Sequence, residues 1–310
     1  MSQPQFDQDT RASQFEGHKH LVLLDTDIGD DIDDALALAL VLRSPEIELI
    51  GVTTVFGDTR LRARLATHLL HVFERDNIPI AAGMSAPMLA RHSPSGVPQA
   101  AILAANDEQT ISNCSGPELI IEKAMAYPGH LTLLCIGPLT NIATALLMEP
   151  HLFMAIRNII MMGGTSGIPW PEWNVRSDAL AAQIVLAAGI PITLLGWNIT
   201  TRCQLKADDI ERLCAHNTSR TRLLSELIAI WQQHRPRWQP AYPHLHDPLT
   251  IVALCAPELL RFEEMTARTL VYGPLRGFMV PRLMNGPLVH AAVGIEAEKA
   301  REWVMERLLY

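Results

Sequence analysis

The chain has 310 residues, with 25 Lys and Arg against 33 Asp and Glu, a formal net charge of −8. Hydrophobic residues make up 48% of the chain, and a chain of this size buries enough surface to fold without disulfides or structural metals. These values exclude a disordered protein. They also argue against nucleic acid or an anionic membrane as the main partner, because both need a basic face.

No run of 18 or more uncharged apolar residues occurs, so no membrane span is predicted. Residues 1–18 are interpreted as a polar N-terminal tail, since they lack the apolar core of a secretion signal. Residues 19–310 are interpreted as a single domain, because they contain no internal repeat, low-complexity tract or clear linker. The five cysteines are odd in number, far apart and without a CxxC pair. We therefore expect unpaired, buried thiols and a cytoplasmic location.

Short apolar runs alternate with helix-like stretches along the chain. In order, the predicted elements are strand 20–27, helix 33–46, strand 47–55, helix 61–76, strand 78–83, a Pro- and Ser-rich excursion or lid over 84–115, helix 116–129, strand 131–137, helix 138–149, strand 156–164, helix 177–189, strand 190–197, a mostly helical stretch over 205–256, and a closing strand and helix within 288–309. This alternation predicts an α/β fold, Rossmann-like, with a mostly parallel central sheet and helices on both faces. The strands are continuous apolar runs, as expected when both faces of a sheet are covered.

Polar and Gly-rich residues follow most of the predicted strands. In open parallel sheets, ligands bind beyond the carboxyl ends of the strands. The convergence of these segments at one edge of the sheet therefore predicts a site at the C-terminal ends of the strands.

An acidic cluster begins in the last residues of the first predicted strand and is the sharpest signal. Six carboxylates fall within ten residues: Asp25, Asp27, Asp30, Asp31, Asp33 and Asp34. Carboxylates this close raise each other's pKa values, and a bound divalent cation relieves the repulsion. The ligands are hard oxygens with no Cys or His between them, which favours Ca²⁺ or Mg²⁺ over Zn²⁺. The alternative is a solvated acidic turn in which Asp33 is a helix N-cap.

The cluster is not an EF-hand. An EF-hand loop needs Gly at its sixth position, and counting from Asp25 that position is Asp30.

Three further segments carry weaker signals. His246 and Asp247 precede an apolar helix. Asp247 is either the N-cap of that helix or a metal ligand next to His246, which would act as an acid. Glu172 and Asn174 lie in a segment that by itself reads as an ordinary loop. Thr140 either caps the helix that follows or contributes to the site.

Together these motifs resemble the inosine-uridine preferring nucleoside hydrolase family. The family's mark is DTDxGxDDxxAL after the first strand. The matching segments are Asp25-Thr26-Asp27-Ile28-Gly29, Asp33-Asp34-Ala35-Leu36, Thr53-Thr54-Val55, Gly137-Pro138-Leu139-Thr140-Asn141, Met162-Gly163-Gly164, Glu172-x-Asn174 and His246-Asp247-Pro248. The resemblance covers roughly residues 20–309.

The resemblance implies a Ca²⁺-dependent hydrolase that cleaves the N-glycosidic bond of ribonucleosides to ribose and a free purine or pyrimidine base. The reaction would use a metal-activated water and an oxocarbenium-like transition state, with a role in nucleoside salvage. The substrate partner would be a ribonucleoside, and the assembly a homodimer or a homotetramer.

The resemblance also implies roles for individual residues. Asp27 would be a calcium ligand and the general base on the metal-bound water. The further calcium ligands would be Asp34, the backbone carbonyl of Thr140, and Asp247. The ribose hydroxyls would be held by Asp33, Glu172 and Asn174, and the ribose pocket lined by Met162. His246 would assist the leaving base, and Asp25 would lie behind the ligands.

The sequence departs from the family pattern in three places. Three residues separate Gly29 from Asp33 where the commonest motif has one, so Asp31 competes with Asp33 for the ribose. Asp58 stands where many members have Asn, and is expected near the ribose or the metal. Segment 91–109 replaces a His- and Gly-rich segment, which leaves the base preference open.

Two other readings remain open at this point. A Mg²⁺-dependent haloacid-dehalogenase-like phosphatase would use Asp25 as nucleophile and Asp27 as acid, but it usually has Thr or Val where this chain has Gly29. A non-catalytic nucleoside- or ribose-binding protein would keep the same fold. Phosphate release would support the first reading, and ribonucleoside binding without ribose production would support the second.

Overall fold

The computed structural model describes residues 19–89, 96–104, 111–237 and 239–310. The predicted polar tail lies outside the described residues, as does part of the predicted 84–115 lid. In the described chain the strands are β1 His20–Thr26, β2 Ile47–Thr54, β3 Ile80–Ala82, β4 Leu131–Cys135, β5 Ile156–Met162, β6 Ile192–Leu195, β7 Leu260–Thr269, β8 Met279–Pro281 and β9 Leu288–Ile295.

Helices cover both faces of the sheet. They are α1 Asp33–Arg43, α2 Thr59–Val72, α3 Gly116–Ala126, α4 Thr140–Met148, α5 Leu152–Ala155, α6 Trp173–Ser177, α7 Ala179–Ala187, α8 Trp197–Thr200, α9 Ala207–His216, α10 Ser219–His234, α11 Pro248–Cys255 and α12 Ala297–Leu309. Two short 3-10 helices cover Pro98–Ile102 and Pro257–Leu259. The predicted α/β fold with a mostly parallel sheet is confirmed.

The strands form one sheet of nine in the order β3-β2-β1-β4-β5-β6-β9-β7-β8. The first seven strands in this order, which end with β9, pair in parallel. Strands β7 and β8 then pair antiparallel at one edge of the sheet. From β1 the chain moves outward to β2 and β3, then returns to β4 on the other side of β1. This reversal of direction at β1 is the topological switch point, where ligands bind in open α/β sheets.

Two apolar layers pack on opposite faces of the sheet. Alternate residues of β1 serve different layers: Val22 and Leu24 belong to one, and Leu23 to the other. This follows from the two-residue period of a strand. Helix α1 is buried along nine of its eleven residues, so its nearly all-apolar sequence reflects packing on every side.

The structure differs from the predicted elements mainly at the ends of helices and at one sheet edge. Helix α1 ends at Arg43 rather than 46, because Pro45 excludes the helical conformation from Ser44, which is extended. Strands β7 and β8 were not predicted. Strand β7 pairs with antiparallel neighbours and has polar and charged residues on a solvated face, which gives no apolar run.

The five cysteines are unpaired, as predicted, but only Cys135 and Cys203 are buried. Cys114 and Cys255 are half-buried, and Cys214 is exposed. None of the helices in the described part of the chain combines the length and apolar character that a membrane crossing needs.

Candidate functional site

The carboxylates after β1 are gathered beside the switch point. Asp33, Asp34 and Asp247 each offer a carboxylate oxygen, and these oxygens lie within 4.8 Å of one another. All three side chains are buried. Burial first, and then the neighbouring carboxylates, raise the pKa of each well above its ordinary value. Three buried hard-oxygen donors at this spacing suit a divalent cation.

Capping does not account for these carboxylates. The N-cap position of α1 is Ile32, and Asp33 is already inside the helix, so the predicted alternative of an Asp33 cap is wrong. Asp247 does occupy the N-cap position of α11, but its side chain makes no capping hydrogen bond. Instead, its backbone N–H donates to Oδ2 of Asp33 at 3.3 Å. Asp34 Oδ1 accepts the Thr26 hydroxyl at 2.5 Å.

Asp27 is a close electrostatic neighbour of the three. Burial raises its pKa to about 7, and its charge in turn raises the pKa of Asp33, Asp34 and Asp247. Its carboxylate lies against the turn after β4, where a Cβ at Gly137 would come 2.9 Å from Asp27 Oδ1.

Asp31 and Asp33 have different surroundings. Asp31 Oδ1 accepts the backbone N–H of Ile32 at 2.8 Å, and its carboxylate also bonds the Trp231 side chain. The sequence left open which of the two holds the ribose. Asp33 instead lies in the carboxylate group with Asp34 and Asp247, and the ribose contact of either residue stays a prediction.

Asp25 ties together the ends of three elements. Its Oδ1 accepts the Thr53 hydroxyl of β2 at 2.6 Å and the Asn141 amide of α4 at 2.7 Å. Burial raises its pKa to about 7 despite these bonds. Among the described residues, Asp25 Oδ2 is buried with no partner. Asp25 therefore links the ends of β1 and β2 to the start of α4 beside the site.

Thr140 begins the helix that follows β4, and Met162 is the last residue of β5. The Thr140 hydroxyl donates to Asp178 Oδ2 at 2.8 Å, while its carbonyl accepts the Thr144 hydroxyl at 2.7 Å. Its assignment as a calcium ligand stays a prediction. The buried Met162 offers its carbonyl to Asn174 at 3.2 Å.

Glu172 and Asn174 are built into the end of the sheet by backbone bonds. The carboxylate of Glu172 is buried and accepts the N–H groups of Gly164, Asn174 and Val175 at 2.8, 2.8 and 3.1 Å. The Asn174 amide nitrogen donates to the Ile136 carbonyl at 2.8 Å. Their predicted contacts with ribose stay predictions, because these bonds also give both residues a structural role.

His246 lies beside the carboxylates, immediately before Asp247. Its Nδ1 is 2.7 Å from the Thr200 hydroxyl of α8, and its ring centroid is 5.2 Å from that of His244. Burial, and then His244, lower the pKa of His246 to about 3. The ring is therefore neutral, with one N–H to donate.

Asp58 is exposed and is the N-cap of α2, where its side chain accepts the Leu61 N–H at 3.0 Å. The structure thus gives it a capping role, and its expected contact with ribose or metal stays a prediction.

Sequence reasoning missed three polar residues that support these carboxylates. Arg62 donates to the loop that follows β1. Asp178 holds Thr140, and Gln99 donates to the Asp31 carbonyl at 2.6 Å. Asp178 had a readable signal, an Asp before an apolar helix that it caps. Arg62 and Gln99 had none, since polar residues at such positions are usually solvated.

Four aromatic residues lie around the same end of the sheet. Trp173, next to Glu172, meets the buried Phe56 edge-to-face at 6.2 Å. Trp170 and Trp197 are stacked at 5.3 Å and are both partly exposed. Half-exposed indoles offer flat apolar surface beside the polar site.

The family model of the inosine-uridine preferring nucleoside hydrolases matches residues 22–302. The chain belongs to this family. It is therefore an enzyme, a hydrolase that acts on N-glycosidic bonds. The match makes the phosphatase reading untenable.

The nucleoside hydrolase is similar to several named relatives. It is 31% identical to the "Probable uridine nucleosidase 2" of Arabidopsis thaliana, over 94% of this chain and 98% of the relative. It is 35% identical to the "Pyrimidine-specific ribonucleoside hydrolase RihA" of Shewanella sp. (strain ANA-3), over 77% and 78%. Among solved structures, it resembles a plant nucleoside hydrolase, PpNRh1, with a TM-score of 0.84, 26% identity, and coverage of 94% and 99%.

Proposed function

We propose that this nucleoside hydrolase cleaves the N-glycosidic bond of ribonucleosides in a Ca²⁺-dependent reaction that yields ribose and a free base. The observation that carries the proposal is the group of Asp33, Asp34 and Asp247, with oxygens within 4.8 Å of one another and Asp27 close by. Such a group is unfavourable when empty, because buried like charges repel.

The donor chemistry fits Ca²⁺. Asp34 and Asp247 would hold it, with Asp27 and the Thr140 carbonyl as further ligands, while hard oxygens exclude a preference for Zn²⁺. When bound, Ca²⁺ supplies a Lewis acid that lowers the pKa of water and orients the ribose diol. Asp33, in the same group, would accept a ribose hydroxyl.

The carboxylates have two further tasks in the proposed reaction. Asp27 takes a proton from the water that attacks the anomeric carbon. As the bond to the base breaks, positive charge develops on the sugar, and the surrounding fixed carboxylates stabilise it. No covalent bond to the enzyme is needed.

His246 assists the departing base. The bond between the anomeric carbon and the base nitrogen breaks with its electron pair on the base, which then needs a proton or a hydrogen bond. With Nδ1 facing the Thr200 hydroxyl at 2.7 Å, Nε2 is the nitrogen left to face the base. Nε2 carries the N–H in the tautomer in which that hydroxyl donates to Nδ1 rather than to the Trp197 carbonyl 3.3 Å away. Neutral imidazole is sufficient to donate this hydrogen bond.

The relatives' names favour uridine as the first substrate to test. The net charge of −8 supports a small-molecule substrate rather than nucleic acid or a membrane surface. The family resemblance supports a homodimer or a homotetramer, which light scattering after gel filtration would distinguish. The unpaired cysteines support a cytoplasmic location.

The decisive test is ribose release from uridine, cytidine, inosine and adenosine, with added Ca²⁺ and then with EDTA. We expect release that requires Ca²⁺, with uridine fastest. Release that persists in EDTA would overturn the calcium dependence. Tight ribonucleoside binding without ribose would instead support the binding-protein reading.

Asp27→Ala tests the general base. We expect loss of most turnover, with the circular dichroism spectrum unchanged. Near-normal turnover of the variant would show that Asp27 is not the base.

A further inference from the structure

Arg62, in the first half of α2, is completely buried although it is charged. Charged side chains are almost never fully buried unless they are paired. Its guanidinium donates to one carboxylate and three backbone carbonyls. These acceptors are Asp30 Oδ2 at 2.8 Å, the Ile28 carbonyl at 2.9 Å, the Phe56 carbonyl at 2.7 Å, and the Asp27 carbonyl.

Two of these carbonyls belong to the loop that carries the site. Asp27 and Ile28 are consecutive, and Nη1 of Arg62 donates to both. The backbone from which the Asp27 side chain projects is thus fixed by a side chain of another element.

The third carbonyl belongs to the loop after β2. Phe56 has a φ of 67°, a left-handed conformation that residues other than glycine rarely adopt. Arg62 Nε donates to the Phe56 carbonyl, and the Phe56 ring contacts the ring of Trp173. One guanidinium therefore joins the loops that leave β1 and β2 on the same side of the site.

Geometry distinguishes this role from that of a simple counter-charge. The positive charge of Arg62 lowers the pKa of Asp27 and Asp34, against the effect of burial. A lysine would supply the same charge. A lysine lacks the planar set of five N–H donors, however, and cannot reach four acceptors on two loops at once.

We propose that Arg62 is a positioning residue that fixes the loop bearing Asp27 in its cation-binding conformation before the cation arrives. This inference rests on the proposed function, because it concerns the same Ca²⁺ site. According to this inference, α2, which lies outside the sequence motifs, orders the loop that carries the cation ligand Asp27.

The test compares the unmodified full chain with Arg62→Met and Arg62→Lys. Ca²⁺ affinity is measured by titration calorimetry, and thermal unfolding is measured in EDTA. Loss of groups that orient metal ligands typically weakens metal binding 10- to 100-fold, and we expect a loss of roughly this size in both variants. Arg62→Lys keeps a buried charge of similar length and decides the question if Arg62→Met fails to fold.

Arg60→Met is the matched control, since Arg60 is exposed on the same helix. We expect its Ca²⁺ affinity to equal that of the unmodified chain. Unchanged affinity in both Arg62 variants, with only a lower unfolding temperature, would reduce Arg62 to a structural residue. Full affinity in Arg62→Lys alone would show that charge suffices. If the unmodified chain itself binds no Ca²⁺, the proposed function fails, and this inference with it.

Discussion

Gly137 lies so close to Asp27 that a side chain at position 137 would not fit between them. A Cβ added to Gly137 would lie 2.9 Å from Asp27 Oδ1, 3.0 Å from its backbone nitrogen and 2.7 Å from a methyl group of Val55. Contacts below 3.0 Å force a shift, here of the Val55 side chain and the Asp27 carboxylate, while the Asp27 nitrogen at 3.0 Å is part of the backbone. The absence of a side chain at position 137 is thus a condition for the position of Asp27.

Gly137→Ala should therefore impair catalysis. We expect kcat/KM for uridine to fall at least about tenfold, and the free energy of unfolding to fall by about 1–3 kcal/mol from overpacking. Gly96→Ala is the control, because a Cβ there would meet no atom of the described residues within 4 Å. Normal kcat/KM in Gly137→Ala would mean that the position of Asp27 is not critical.

Asp247→Asn should have opposite effects in the absence and presence of calcium. In EDTA we expect a higher unfolding temperature than for the unmodified chain, since one of three mutually repelling buried charges is removed. With Ca²⁺ we expect a smaller stabilisation, because a charged ligand has been lost. Differential scanning calorimetry under both conditions measures this. Asp208→Asn, at an exposed position on α9, is the control. A lower unfolding temperature in EDTA would contradict the proposed repulsion.

The sequence predicted the sheet and the acidic loop well because their signals are local. Strands such as β1 and β4 are short apolar runs, and Asp33 and Asp34 lie seven and eight residues after the end of the first of them. The sequence could not supply the contact between Asp33 and Asp247, which are separated by 214 positions. A family resemblance was needed to bring them together.

The support for the site was harder to read from the sequence. Arg62 lies in a predicted helix of mixed polarity, in which a charged residue is normally solvated. Its burial follows from the tertiary packing of α2 under the loop after β1, and no local pattern encodes that packing. For Asp58 the family comparison suggested the ribose, whereas the local pattern, an Asp before a helix, matches the observed cap.

Asp58→Ala and Asp58→Asn separate capping from substrate binding. We expect Asp58→Ala to lower the free energy of unfolding by about 1 kcal/mol, because the bond to the Leu61 N–H is lost. Asn is an equally good N-cap, so Asp58→Asn should keep the stability and also the KM for uridine. Chemical denaturation and steady-state kinetics measure the two effects. A raised KM in Asp58→Asn would instead support the contact with ribose that the family pattern suggests.

His246→Ala should slow uridine and inosine more than an activated p-nitrophenyl riboside. The activated leaving group needs no hydrogen-bond donor, whereas the natural bases do. Equal slowing of all three substrates would argue against a role of His246 in leaving-group departure.

Thr200→Val extends the same test to the group that orients His246. The Thr200 hydroxyl is 2.7 Å from His246 Nδ1. Without this hydroxyl, the His246 ring should lose the orientation in which Nε2 faces the base. We expect the same preference for the activated substrate, but with a smaller loss than in His246→Ala. Thr201→Val is the matched control, because the Thr201 hydroxyl donates at 2.8 Å to the Trp197 carbonyl, which the Thr200 hydroxyl also approaches at 3.3 Å. If Thr200→Val slows uridine and the p-nitrophenyl riboside by the same factor, as Thr201→Val does, the bond between Thr200 and His246 contributes only to the local fold.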